Sequence, residues 1–236
     1  MQKKQRIWEI DALRGLMILF VVALHGLYFA ANVLSLFRMP QWLALFMEYG
    51  GALFVVLSGL SATLGSRSFR RGALVFLCGM ALTLGSWLCV LLGFLPASMI
   101  IRFGVLHLLG VCMMLYPVLK KAPTWLLAAL GPALVLAGFA VAELTVQSSW
   151  LFPLGLTNAS FSSGDYFPLL PHLGWFCVGI VLGRLLYREK TTRFPQVSES
   201  LPPVRFLCFC GRQSLWIFLL HLPVVGGILM LVSMLL

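Results

Sequence analysis

Charged residues are spaced along this chain so that long apolar runs are left between them. Seven stretches, roughly 10–31, 42–64, 72–92, 101–119, 124–143, 166–187 and 211–235, each hold about twenty residues with few charges. That is the length an α-helix needs to cross the hydrocarbon of a bilayer. The breaks carry turn and charge signals: "FRMPQ", "GSRSFRRG", "GFLPAS" and "KKAPT". The longest connection, "QSSWLFPLGLTNASFSSGDYFP", is rich in Ser and Gly and has no Lys or Arg, and "YREKTTRFPQVSESLPPVR" is too short to fold alone. No repeat and no low-complexity tract interrupts the pattern. Residues 1–236 therefore read as one domain, an all-α, polytopic membrane helix bundle of about seven transmembrane helices.

Composition agrees. The chain is 61% hydrophobic and only 10% charged, against about 25% charged in soluble domains, so most of its surface must face lipid. A net charge of +10 would suggest nucleic acid in a soluble protein, but here it sets topology. With the N-terminus in the cytoplasm, Lys3, Lys4, Arg6, Arg14, Arg67, Arg70, Arg71, Lys120, Lys121, Arg184, Arg188, Lys190, Arg193, Arg205 and Arg212 lie inside. Only Arg38 and Arg102 lie outside, and an odd number of spans puts the C-terminus outside as well. The first apolar run is too long for a signal peptide and lacks a small-residue cleavage site, so it is kept as a span. The six cysteines fall mostly inside apolar runs and read as small buried hydrophobes. Cys208 and Cys210 lack the further ligands a metal site needs, and no metal is expected.

Ionisable groups inside a membrane are costly and mark function by default. All four histidines, His25, His107, His172 and His221, fall in the predicted spans or at their ends. His25, Glu48, His107 and His172 each lie about six residues from the outer end of a span, about 9 Å below the surface. They describe a polar layer in the outer third of the bundle, with His221 nearer the midplane. Glu48 is placed to orient a histidine through a carboxylate–imidazole hydrogen bond. Glu143 and Asp165 flank the outer loop and read as solvated.

The first span, "IDALRGLMILFVVALHG", carries the most informative spacing. Arg14 and His25 are eleven steps apart, three turns plus about 20°, and so share one helix face about 16 Å apart. Asp11, three residues before Arg14, can pair with it on that face. By itself Arg14 reads as a snorkelling topology anchor. That reading accounts neither for His25 nor for the shared face.

"R-x-x-x-I-D-A-L-R-G-L" over Arg6–Leu16, with its Arg-x10-His spacing, resembles acyltransferase-3 membrane proteins. "LFVVLSGLSATLG" (53–65), "IRFGVLHLLGV" (101–111), "FPLLPHLGWFCVGIVLG" (167–183) and "CGRQSLWIFLLHLPVV" (210–225) resemble the heparan-α-glucosaminide N-acetyltransferase catalytic-domain family. The resemblance covers nearly the whole chain. It implies a multi-pass enzyme of the bacterial plasma membrane that moves an acyl group, acetyl by preference, from cytosolic acyl-CoA to an amine or hydroxyl of a sugar-type acceptor outside. Arg14 with Asp11, helped by Arg70, Arg71, Arg184 or Arg212, would receive the CoA phosphates through guanidinium contacts. The pantetheine arm would run past His221 toward His25.

The lysosomal members place a catalytic histidine in the loop after the first span, and "NVLSLFRMPQ" has none. The chemistry therefore falls to His25, His107, His172 or His221, and the acceptor class stays open. On this reading His25 is the general base, Glu48 orients it, and His107 or His172 stabilises the oxyanion or positions the acceptor. An acyl-His25 intermediate is the covalent variant. The expected partners are the lipid bilayer, acyl-CoA and the acceptor, with room for a homodimer and no nucleic acid. The rival readings are a small transporter using buried His and Arg, which the lack of an inverted repeat disfavours, and a non-catalytic envelope scaffold subunit.

Overall fold

The computed structural model describes residues 7–32 and 34–235. Among them the chain is all-helical: α1 (Trp8–Asn32), α2 (Gln41–Leu64), α3 (Ser68–Leu91), α4 (Val105–Leu119), α5 (Thr124–Ala142), α6 (Leu169–Leu186), α7 (Pro202–Arg212) and α8 (Ser214–Leu235), with two single 3-10 turns. Each of the seven apolar stretches folds as a helix. Among the described residues, fewer than seven are long and apolar enough to cross a membrane unaided. Four qualify (α1, α3, α5 and α6), and a fifth span results if α7 and α8, bent by 83° at their junction, are taken together. The 15-residue α4 rises only about 22 Å, short of a hydrocarbon core about 30 Å thick. Among the described residues, Tyr49–Leu64 of α2 is a shorter apolar helical stretch.

The chain divides into two compact units, one of residues 1–54 and 189–236, the other of residues 55–188. In the first, α7 packs on α1. This helix takes up the last residues of the basic connection, 202–205, and the stretch up to the last span. Val204, Leu207, Cys208 and Gly211 recur at helical spacing and give α7 one inward face. Phe206, Phe209, Arg205 and Arg212 stay exposed. Two glycines set the approach: a Cβ on Gly15 would run into the Leu207 carbonyl, and one on Gly211 into the Asp11 carbonyl. A strap ahead of α7 closes over the start of α1, where Glu9 accepts hydrogen bonds from Thr192 Oγ1 (2.9 Å) and the Arg193 amide (2.7 Å).

In the second unit α3 pairs with α4, α5 with α6, and the second half of α2 lies against α6. Phe176, Cys177, Ile180, Leu108, Cys112 and Leu127 are fully buried. Leu74, Leu77, Leu84 and Leu91 of α3 are exposed, a face suited to lipid rather than water. The loops 100–104 and 163–167 are stitched together at one end. Phe167 donates to the Phe103 carbonyl (2.8 Å), Gly164 to the Ile100 carbonyl (3.2 Å), and the Arg102 amide to Ser163 Oγ (3.1 Å). The other end of this unit carries Arg67, Arg70, Arg71, Lys120, Lys121, Arg184 and Arg188. The charge asymmetry expected from the sequence is thus present within the unit.

Candidate functional site

A carbonyl oxygen can only accept a hydrogen bond, so an imidazole nitrogen facing one must carry the proton. This fixes three tautomers. His25 Nδ1 lies 2.8 Å from the Val21 carbonyl, one turn back on α1. His221 Nδ1 lies 2.5 Å from the Phe218 carbonyl on α8, and His172 Nδ1 lies 2.8 Å from the Pro168 carbonyl. Each donates through Nδ1 and keeps a bare lone pair on Nε2, the form that can take up a proton.

The first unit brings His25 and His221 together. Their rings meet edge to face with centroids 4.9 Å apart. His221 is only 4% exposed, and its Nε2 has no hydrogen-bond partner among the described residues. Down the same face of α1, Arg14 Nη1 lies 3.4 Å from Asp11 Oδ1. Gly211 packs on Asp11, which sets the exposed Arg212 at the Arg14 end of the stripe. His221 was assigned to the cofactor's path from the sequence; here its place is beside His25. The Val21 carbonyl orients His25 through Nδ1; Glu48, expected to orient a histidine, has its side chain outside the described residues.

The remaining candidates belong to the second unit. His107, buried at 2% exposure, has the opposite tautomer. Its Nδ1 accepts from the Gly104 amide at 3.1 Å, so the proton sits on Nε2, which faces Thr83 Oγ1 at 3.2 Å. The ring stacks on Phe103 and meets Phe76 edge-on, with centroids 5.5 Å apart in both pairs. Gly79 leaves room for it. Both nitrogens are committed to holding the first turn of α4, so His107 has no lone pair to act as a base.

Asp165 corrects the expectation of a solvated loop carboxylate. Its Oδ2 accepts the Val105 amide at 3.0 Å, at the helix end where orphan donors and the dipole favour an anion. Glu143 is exposed, as expected. Arg184 donates to the Ala122 carbonyl (2.8 Å), the Lys120 carbonyl (3.0 Å) and Thr124 Oγ1 (3.2 Å), and so ties the turn between α4 and α5. Arg70 and Arg71, at the start of α3, are exposed. Tyr166 donates to the Phe152 carbonyl at 2.6 Å, and burial pushes its phenol up to about 12, so it stays protonated at neutral pH. No group of metal-binding residues occurs among the described residues.

Sequence reasoning missed Thr83 and the helix-capping role of Asp165. It also missed the two carbonyls that fix the tautomers of His25 and His221. The carbonyls were findable, since each lies three or four residues before its histidine on one helix. The Thr83–His107 and Asp165–Val105 contacts join residues 24 and 60 apart, and no local pattern announces them.

These features define an integral membrane protein, all-helical among the described residues, with His25 and Arg14 on one stripe of its first helix and His221 of its last helix beside His25. The chain belongs to the heparan-alpha-glucosaminide N-acetyltransferase catalytic family, whose sequence model matches residues 6–223. Acetyl-CoA is the donor in that family. No curated protein and no solved structure matches the chain.

Proposed function

We propose that the protein moves an acetyl group from cytosolic acetyl-CoA to an amine or hydroxyl of a sugar-type acceptor on the outer side of a bacterial plasma membrane. The observation that carries this reading is the tautomer of His25. Its Nδ1–H is spent on the Val21 carbonyl, and its Nε2 is left as a base on the face of α1 that also carries Arg14. His25 takes the proton from the acceptor as the acceptor attacks the thioester carbonyl. The carbon–sulfur bond breaks, and the proton passes to the CoA thiolate. Arg14 holds the CoA phosphates, with Asp11 steadying its guanidinium and the exposed Arg212 beside it. In the second unit Arg70 and Arg71 are exposed, whereas Arg184 is taken by three acceptors of its own unit. His172 of the second unit also keeps a bare Nε2. The bilayer, acetyl-CoA and the acceptor are the partners, and a homodimer is compatible with the exposed apolar faces.

The test uses the full chain in proteoliposomes with labelled acetyl-CoA inside and glucosamine outside. Replacing the base by His25→Asn keeps an N–H for the Val21 carbonyl but removes Nε2. Transfer is expected to fall by about 10²–10⁴-fold, the usual contribution of a general base. Wild-type transfer by this variant would sink the reading.

A further inference from the structure

His221 is a buried titratable group that the scheme above leaves idle. Its donor is spent on Phe218, its buried Nε2 has no partner among the described residues, and its ring rests on that of His25 at 4.9 Å. A buried acceptor without a donor is costly and rarely kept without a use. Beside it, a proton arrives on His25 during each turnover, and an imidazolium in a low-dielectric site needs a neighbour that can accept from it. We propose that His221 is the second proton holder of the reaction: the proton that His25 removes from the acceptor is shared between the two Nε2 atoms until the departing CoA sulfur takes it. This rests on the reading of His25 as the base.

The balance is complete without another reactant. The acceptor loses its hydrogen and gains the acetyl carbon, and the thioester carbon–sulfur bond breaks. The proton leaves on sulfur as free CoA thiol, and both histidines return to their Nδ1–H forms. The edge-to-face geometry and the 4.9 Å spacing let a rotation of either ring bring the two Nε2 atoms into hydrogen-bond reach. The rotating ring loosens its Nδ1–H bond to the helix carbonyl during the transfer and regains it afterwards, with no full ring flip. The other charged groups on this face, Asp11 and Arg14, sit about three turns of α1 below His25 and are paired with each other.

The experiment measures acetyl-CoA thiol release by the full chain in nanodiscs, with glucosamine and with water as acceptors. The variants are His221→Asn, which keeps an N–H for the Phe218 carbonyl and deletes Nε2, and His221→Gln, which carries an acceptor oxygen out toward the Nε2 position. His221→Asn is expected to lower kcat at least about tenfold with KM for acetyl-CoA within about twofold, and His221→Gln to recover part of that loss. The rate plotted against the fraction of D2O is expected to bow in the wild type, where more than one proton is in flight. In His221→Asn it becomes straight, a change that a purely structural histidine would not produce. A His221→Asn enzyme within about twofold of wild type, with the bow intact, overturns the shared proton and leaves His25 as the base. A His25→Asn enzyme that keeps wild-type turnover overturns the base assignment itself.

Discussion

Removing the Asp165 carboxylate tests how the second unit is locked at the end opposite its basic cluster. The first turn of α4 has amide donors with no helical partner. Two of them are served from outside the ladder, Gly104 by His107 Nδ1 at 3.1 Å and Val105 by Asp165 Oδ2 at 3.0 Å. Residues 103–110 are all buried, so water cannot readily take the place of either acceptor. Asp165→Ala strands the Val105 amide, at about 1–3 kcal/mol. It also deletes a negative charge at a partly buried helix N-terminus, worth about 0.3–2 kcal/mol. Together these predict a loss of about 2–4 kcal/mol. Asp165→Asn keeps an acceptor oxygen and loses only the charge, so about 1 kcal/mol is expected. Equilibrium unfolding of the full chain, by SDS titration in lipid–detergent mixtures, reads both. An Ala variant within about 0.5 kcal/mol of wild type, or an Asn variant as damaging as Ala, refutes the capping argument.

Arg14 and Arg184 separate a ligand-binding arginine from a structural one. Arg14→Gln is expected to weaken acetyl-CoA binding about 10–100-fold with stability little changed, by calorimetric titration. Arg184→Gln is expected to leave that affinity within about twofold and to cost about 1–3 kcal/mol of stability, because it frees the carbonyls of Lys120 and Ala122. At the α1–α7 crossing, Gly211→Val drives side-chain atoms into the Asp11 carbonyl. It is expected to destabilise by about 1–3 kcal/mol or more, read in the same SDS titration, with Asp11 and Arg14 displaced. Tyr166 gives a pH signature. Its phenol titrates near 12 when folded, against 10.0 in a free side chain. The unfolded chain therefore loses this proton first, and the stability tied to the neutral phenol is complete below pH 10.0 and is lost as pH rises to about 12. Tyr166→Phe is expected to remove that part of the alkaline decline in thermal melts.

The seven apolar stretches were readable because crossing hydrocarbon demands long runs without charge, and that demand is written residue by residue. The lengths and breaks of the helices were not readable in the same way. α4 is short and α7 breaks from α8 by 83°, and both follow from packing rather than hydropathy. α7 carries no span-length signal, since its inward residues are few: Val204, Leu207, Cys208, Cys210 and Gly211. What gives that face a partner is Gly15 on α1, nearly two hundred residues away in sequence.

The sequence by itself determined the helical membrane class, the charge asymmetry and the Asp11–Arg14–His25 stripe. Each of these depends on composition or on spacing along one helix. Tertiary structure decided which histidines keep an uncommitted ring nitrogen. His107 and His25 look alike as lone imidazoles in apolar runs. One is spent at both nitrogens on Gly104 and Thr83, and the other keeps Nε2 bare beside His221. That difference is set by which atoms of other helices and turns come within about 3 Å of each ring, and no one-dimensional pattern contains it.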